Sequence, residues 1–441
     1  MNKPVRKEIL IVIAIFVAAL LIRLFLFAYP KQFVFDEVYF INFASDYFTG
    51  SYYFDLHPPL GKLLLYGFGL LTGFNGQPAV SAIGESFTNV SYAYLRLFPI
   101  ICGSLIPPII YLLARRLKLS IVAAVFASIA IIVENSLVVQ SKFVLMDNSL
   151  ILFGFLGLLL YLKSLDTDIS VSPRQKFALK LLAGISLSFA LSIKWTGASF
   201  LGMVLAFELY RAIKQRFSRK EFMQSIFCFV LAPIIVYLSI FYIHFKLLPN
   251  PGPGDAFMSQ AFKSSSFVDR FAELNKVMLL SNGSLSTAHA YASKWYTWPI
   301  MERGIYYWQD SQYPDKMIYL LGNPFVYWLS SLGLIVLLIF VIFKKDRSKT
   351  ALFLLFGFLL NYLPFALITR PMFLYHYFVA LIFAIISLGY ILDKIKDIKK
   401  LKMIILVILT VFTISFIYFS PLTYGLASKD IHQRFWFSSW R

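Results

Sequence analysis

Stretches of this chain with almost no charge recur at lengths close to what a helix needs to cross a bilayer. About eleven can be marked, at roughly 8–28, 93–113, 119–136, 149–163, 177–194, 196–212, 222–245, 318–343, 350–368, 372–392 and 403–420. A helix needs about 20 apolar residues to span about 30 Å of hydrocarbon. Of the 441 residues 59% are hydrophobic and only 14% charged, with a mean hydropathy of +0.73. A soluble protein of this size requires a more charged surface, so lipid is the solvent. The pattern predicts an all-α polytopic membrane protein of about eleven transmembrane helices, with interfacial helices in its outer loops. No internal repeat or low-complexity linker divides it, so residues 1–441 read as one embedded domain. The first segment carries Arg23 and no small-residue cleavage site follows it, so it reads as a retained span. Cys102 and Cys228 lie in apolar runs and read as small core residues, not as a disulfide.

The net charge of +19 raises nucleic-acid binding, but its distribution argues for topology instead. With the N-terminus in the cytoplasm and alternating spans, the cytoplasmic pieces hold Lys3, Arg6 and Lys7, "RRLK" at 115–118, Lys163, Arg174 and Lys176, "RAIKQRFSRK" at 211–220, "KKDRSK" at 344–349 and "DKIKDIKKLK" at 393–402. These short pieces are dense in cations, as cytoplasmic loops are. Residues 29–92 and 247–317 then form two long outer loops, and the C-terminal tail from 421 also lies outside. No nucleic-acid partner is expected.

Against this apolar background the acids and cations of the outer loops need explaining. In "FVFDEVYF" at 33–40, Asp36 and Glu37 stand side by side among aromatic residues. An acid pair in an open loop is the plain alternative. Neighbouring residues point in different directions on any regular backbone, so one acid can face a cleft while the other is tied to the scaffold. "DLHPPLGK" follows, with Asp55, His57 and Lys62; its prolines can start a helix lying at the membrane surface. Further polar groups fall at outer span ends: Arg96, Asp147, Lys194 beside Trp195, and Arg370, Tyr375 and His376 in "TRPMFLYHYF". Each alone reads as a snorkelling or interfacial residue. Together they deposit acids and cations at one membrane face from segments far apart in sequence, which a single outer-face site explains.

Acids plus cations there suit a substrate that carries a phosphate and a proton to remove, such as a lipid-linked sugar. Arg, Lys or His would stabilise the leaving phosphate, and an Asp would take the proton of an acceptor hydroxyl. No Gly-rich nucleotide loop, HExxH or CxxC pair is present, so no metal motif is visible. No cofactor is expected to be required, although carboxylates can accommodate a divalent cation. A lipid or sugar transporter is the rival from another class, but it calls for polar groups near the bilayer middle and repeated halves.

A series of stretches in order, "FDEVYF" at 35–40, "YFDLHPPLGKLL" at 53–64, "LRLFPIICG" at 95–103, "LMDNSL" at 145–150, "IKWTGASF" at 193–200, "PGPGDAFMS" at 251–259, "SKWYTWP" at 293–299, "GNPFVYW" at 322–328 and "MFLYHYF" at 372–378, resembles the protein O-mannosyltransferase family of the GT-C fold. The resemblance implies transfer of mannose from a polyprenyl-phosphate donor to Ser or Thr hydroxyls of extracytoplasmic proteins, with inversion. Asp36 matches the catalytic acid of the family's Asp-Glu motif, acting as base, and Glu37 its neighbour, positioning substrate or loop. Arg96 resembles the family's arginine at the second span, with a phosphate role. From charge and placement, Lys194, His57, Lys62 and His376 complete a cationic donor pocket, while Asp55, Asp147, Arg370, Tyr375 and Trp195 serve the acceptor or the scaffold. Eukaryotic members carry a large β-trefoil insertion in the second long loop, which at about 70 residues is too short for it here. A prokaryotic plasma-membrane member is therefore expected, among membrane lipids, with room for an oligomer or an association with the secretion machinery. A GT-C enzyme using another lipid-linked sugar, or a lipid or glycan acceptor, is the nearer rival.

Overall fold

The computed structural model describes residues 3–76, 80, 82–87, 89–166, 172–215, 217–284, 287–343 and 348–441. Residues 344–347 of the expected basic stretch lie outside them. Eight helices among the described residues are long and apolar enough to cross a membrane: Ser91–Arg116, Asp147–Ser164, Pro173–Ile193, Arg219–Leu247, Pro324–Phe343, Lys349–Leu367, Leu374–Leu392 and Ile398–Tyr424. Ile121–Ile132 and Asn135–Lys142 form a ninth span if counted together, although they bend by 57°. Segments 8–28 and 196–212 do become helices, Lys3–Leu24 and Ala198–Gln215. Each holds three or more charged residues, so on composition the expected eleven spans come to eight or nine. The charge in the second of these helices is met inside the protein. The Glu208 carboxylate accepts hydrogen bonds from Tyr161 at 2.8 Å and Arg211 at 2.5 Å, and also from Ser225.

The expected span at 119–136 is broken, for a local reason. Glu134 adopts an extended conformation, and its carboxylate caps the next helix by accepting from the Leu137 N–H at 2.7 Å. It also accepts from the Ser136 hydroxyl and the Asn323 N–H, both at 2.7 Å. Donors left open where the next helix starts are thus met inside the protein, as a buried terminus requires. At another crossing the packing is close enough to need glycine. A Cβ on Gly184 would lie 1.8 Å from the Cys228 carbonyl oxygen, where the helix from Arg219 opens into a π turn over Phe227–Leu231.

The two long loops expected outside are structured. Glu37–Thr49 and Leu60–Thr72 are helices in the first, and Phe267–Ser284 is a helix in the second. The second loop also forms an antiparallel hairpin of β1 (Ile305–Gln309) and β2 (Met317–Leu320), with Tyr306 opposite Tyr319. β2 takes the first residues of the expected span at 318–343, and the helix starts only at Pro324. One contiguous apolar core includes residues from Ile15 to Trp440. A smaller cluster of Tyr47, Tyr52, Tyr53, Phe241, Phe245 and neighbours seats the first loop on the C-terminal end of the helix Arg219–Leu247.

Candidate functional site

A cavity of about 520 Å³ opens where the ends of several spans meet. Its polar wall holds His57, Asp147, Lys194, Trp195, Asn361, Arg370, Tyr375 and His376. Leu150, Ile151, Leu360, Phe365 and Ile368 give the remainder an apolar lining. Asp147 starts the helix Asp147–Ser164 and Lys194 ends the helix Pro173–Ile193, so the turn ends of two spans bring them together. The Lys194 ammonium donates to Asp147 at 2.7 Å, and the Gln140 amide donates to the same carboxylate at 2.6 Å. Tyr307 of β1 in turn donates to the Gln140 carbonyl at 2.6 Å. Arg370 has no hydrogen bond or ion pair among the described residues.

Asp36 sits beside this cluster. It precedes the helix Glu37–Thr49, and its side chain makes no capping hydrogen bond. Its electrostatic neighbours are Lys194, Asp147 and Asp55. Burial pushes its carboxyl up to about 6, and Lys194 opposes this only in part. The preceding residue, Phe35, is held at φ 50°, a conformation that costs a bulky residue on the order of 1–3 kcal/mol. Its ring stacks on Tyr307 at 4.2 Å, nearly parallel, which holds the backbone there.

Glu37 faces away from the cavity, into protein. Its carboxylate accepts from the Val34 N–H at 2.9 Å, the Val144 N–H at 3.0 Å and Arg96 at 2.8 and 2.7 Å. Arg96, expected at the donor phosphate, is fully buried and away from the cavity wall. Besides Glu37 it donates to the carbonyls of Pro30 and Gln32, each at 2.8 Å. The guanidinium lies between the rings of Phe87 and Phe143, 4.9 Å from each. Four of its five N–H donors are engaged in tying the loop around Asp36 to the second span, and the side chain is buried away from the cavity.

Lys62 departs from expectation for the same reason. Its ammonium donates to Asp55 at 2.5 Å and to the carbonyls of His57 and Pro58, both at 2.8 Å, so its three protons are taken. It borders a separate chamber of about 10 Å³ with Asp55 and His244. Burial works against the Asp55 charge, but Lys62 holds that carboxyl below its ordinary value. His57 lines the cavity, yet burial pushes its imidazole down to about 3. It is therefore a neutral hydrogen-bonding group at pH 7, not the cation expected. The His376 Nδ1 accepts from the Phe373 N–H at 3.1 Å, and its ring lies against Tyr375. The Trp195 indole N–H donates to Tyr237 at 3.0 Å. Gln140, Tyr307 and Asn361 did not stand out in the sequence. Neutral side chains inside apolar runs carry no charge signal, and Tyr307 lies in a strand of unexpected type. Among the described residues no group of three or more His, Cys, Asp or Glu side chains could hold a metal ion.

Residues 13–249 match the family described as dolichyl-phosphate-mannose-protein mannosyltransferase. Residues 267–440 match the C-terminal four-transmembrane region of protein O-mannosyltransferase. The chain belongs to the protein O-mannosyltransferase family. Dolichyl-phosphate-mannose–protein mannosyltransferase 4 of Candida albicans is 36% identical over 252 residues, 54% of this chain and 33% of that protein. Mouse protein O-mannosyl-transferase 1 is 34% identical over 258 residues, 56% of this chain and 34% of that protein. The aligned part of this family member thus spans about a third of the length of the curated relatives it matches. The Pmt1–Pmt2 complex of Saccharomyces cerevisiae bound to the sugar donor superposes with a TM-score of 0.90 at 21% identity, over 99% of this chain and 93% of that one. ArnT of Cupriavidus metallidurans bound to undecaprenyl phosphate gives a TM-score of 0.58 at 16% identity, over 95% of this chain and 66% of that one. At these identities the likeness is one of fold, and the fold is GT-C.

Proposed function

We propose that the chain transfers mannose from a polyprenyl-phosphate mannose to a Ser or Thr hydroxyl of a protein, at the membrane face where the cavity opens. The observation that carries the reading is Asp36, an unpaired and largely buried carboxyl with a pKa raised to about 6, beside a cavity that is apolar on one side and cationic on the other. The acceptor oxygen bonds to the anomeric carbon as that carbon's bond to the phosphate oxygen breaks. The hydroxyl proton passes to Asp36, and polyprenyl phosphate leaves. Attack opposite the leaving group inverts the sugar. Charge grows on the phosphate as the bond breaks, so cations aimed there act selectively on the transition state, each worth roughly 3 kcal/mol.

Arg370 and Lys194 are the cations with access to such a phosphate, and neutral His57 and His376 supply hydrogen bonds. Arg96, Glu37 and Lys62 set the loops that carry Asp36 and His57. The apolar wall suits the first prenyl units. The whole chain acts as one domain, since a single core joins both family regions. The excess of Lys and Arg at the opposite ends of the spans supports a cytoplasmic N-terminus, with the site and the C-terminus outside. The short second loop favours the plasma membrane of a prokaryote. The test is to incubate the purified chain with labelled polyprenyl-phosphate mannose and a Ser/Thr-rich peptide. Label in the peptide, lost with Asp36→Asn, is expected; label in lipid alone would reject protein as the acceptor.

A further inference from the structure

A run of aromatic rings leads away from the cavity over the second outer loop. It starts at Tyr375, which lines the cavity and is an electrostatic neighbour of Asp36. Phe373 stacks on Tyr375 at 5.5 Å, and His289 meets Phe373 at 4.9 Å. Tyr291 follows His289 at 6.0 Å, and Tyr306 stacks on Tyr291 at 6.1 Å. Tyr319 closes the run, 5.6 Å from Tyr306. The backbone holds the run together: the Ser293 N–H donates to the Met372 carbonyl at 2.8 Å.

We infer that this run is the docking surface for the extended polypeptide segment that carries the acceptor hydroxyl. The inference rests on the reading of the site as a protein O-glycosyltransferase centre, and it adds where the acceptor chain lies. Continuity is the first argument, because the run begins at Tyr375, which lines the cavity and is an electrostatic neighbour of Asp36 at its margin. The hairpin is the second. β1 turns Tyr307 inward, onto Phe35 and Gln140, and the adjacent Tyr306 outward, onto Tyr291 and Tyr319. One strand therefore fixes the base and the surface relative to each other, so a chain held on the rings has a set distance to Asp36.

Spacing is the third argument. An extended chain rises about 3.3 Å per residue and turns every second side chain to the same face, about 6.6 Å apart. The ring steps are close to that repeat. The rings of Phe373, Tyr291 and Tyr306 are half-buried, their bodies packed and one edge open. An aromatic ring in this setting offers rigid apolar area at small entropic cost. No charged side chain belongs to the run, which fits a segment rich in Ser, Thr and small apolar residues. The edge-on contacts of His289 with Phe373 and of Tyr306 with Tyr319, at 86° and 82°, leave no flat platform for a row of sugar rings, which favours polypeptide over glycan.

The experiment uses the full chain in lipid nanodiscs with polyprenyl-phosphate mannose and two acceptors, a capped Ser tripeptide and a Ser/Thr peptide of about a dozen residues. In Tyr291→Ala and Tyr306→Ala the KM for the long peptide is expected to rise about tenfold, as for loss of an aromatic anchor. The KM for the tripeptide, the KM for the donor and kcat should stay near the starting values, and Tyr291→Phe should restore the long-peptide KM. A photo-crosslinking phenylalanine analogue at position 291 is expected to capture the long peptide, which gives a reading even if an alanine variant folds poorly. Equal KM changes on both acceptors, an unchanged long-peptide KM in both variants, or competition by a free oligomannoside would overturn the inference. If the unmodified chain transfers mannose to neither acceptor, the glycosyltransferase reading itself falls. Transfer without length dependence removes only the docking surface.

Discussion

Asp36 keeps a carboxyl without a protein partner next to Lys194 and Asp147, and its chemistry follows from that isolation. In its proposed role as base it must be ionised, so kcat/KM is expected to fall tenfold per pH unit below about pH 6, which a pH–rate profile checks. Asp36→Asn should lower kcat by at least about 100-fold and leave donor binding in place. The same substitution should raise stability. The folded pKa, about 6, lies above the ordinary 3.8, so ionisation above pH 6 costs the folded state and spares the unfolded one. Relative to the unmodified chain, the Asn variant should therefore gain stability as pH rises from about 4 to about 6, by up to on the order of 2–3 kcal/mol at neutral pH, read as a higher Tm. Glu37 behaves in the opposite way. Glu37→Ala leaves the Arg96 charge buried without its partner and should cost about 3–5 kcal/mol, read as a lower melting temperature and poorer yield. That two adjacent acids have different surroundings, Glu37 tied into the scaffold and Asp36 beside the cavity, was legible from their neighbouring positions among aromatic residues. That Arg96 serves the scaffold was not, because its carbonyl partners Pro30 and Gln32 lie 66 and 64 residues away. Charge at a span end looks the same in sequence whether it faces a phosphate or a loop.

At the scale of helices and strands, the break after Ile132 is the feature that apolar runs conceal. A run from 119 to 136 reads as one rod, and Glu134 near its end reads as a boundary. In the structure Glu134 lies inside the protein and gathers three donors. It fixes a bend that turns Asn135–Lys142 toward the loop around Asp36, where the Lys142 ammonium donates to the Phe25 and Leu26 carbonyls at 2.6 and 3.1 Å. Glu134→Ala should cost roughly 2–4 kcal/mol from the lost cap and unmet donors. Activity lost in proportion to unfolding, measured by melting and transfer on the same sample, would mark its role as structural. Hydropathy located the long helices because lipid exposure requires continuous apolar surface. It missed β1 and β2, whose buried aromatic residues belong to a hairpin between spans, and it extended the following span back into β2.

For the whole molecule the central fact is convergence. Asp36, Asp147, Lys194 and Arg370 come from four separated stretches and reach one cavity and its margin because the spans end at a common level. Their shared face was legible from alternating topology. Their pairing was not, since only packing shows that Lys194 already has Asp147 while Arg370 is free. Arg370→Ala is accordingly expected to raise the donor KM at least about tenfold, as for loss of a charge-assisted contact. Arg370→Lys should recover part of it, measured as initial rates against donor concentration with acceptor saturating. The Lys194–Asp147 pair has one more consequence. With those two charges cancelling, ionised Asp36 and Arg370 balance each other before a donor arrives. In the proposed transfer the carboxylate becomes neutral by the same unit that the departing phosphate becomes more anionic. Nothing ionic has to enter or leave while bonds change, so a pocket half walled by hydrocarbon can run the step dry and deal with water only afterwards, when the proton on Asp36 is shed.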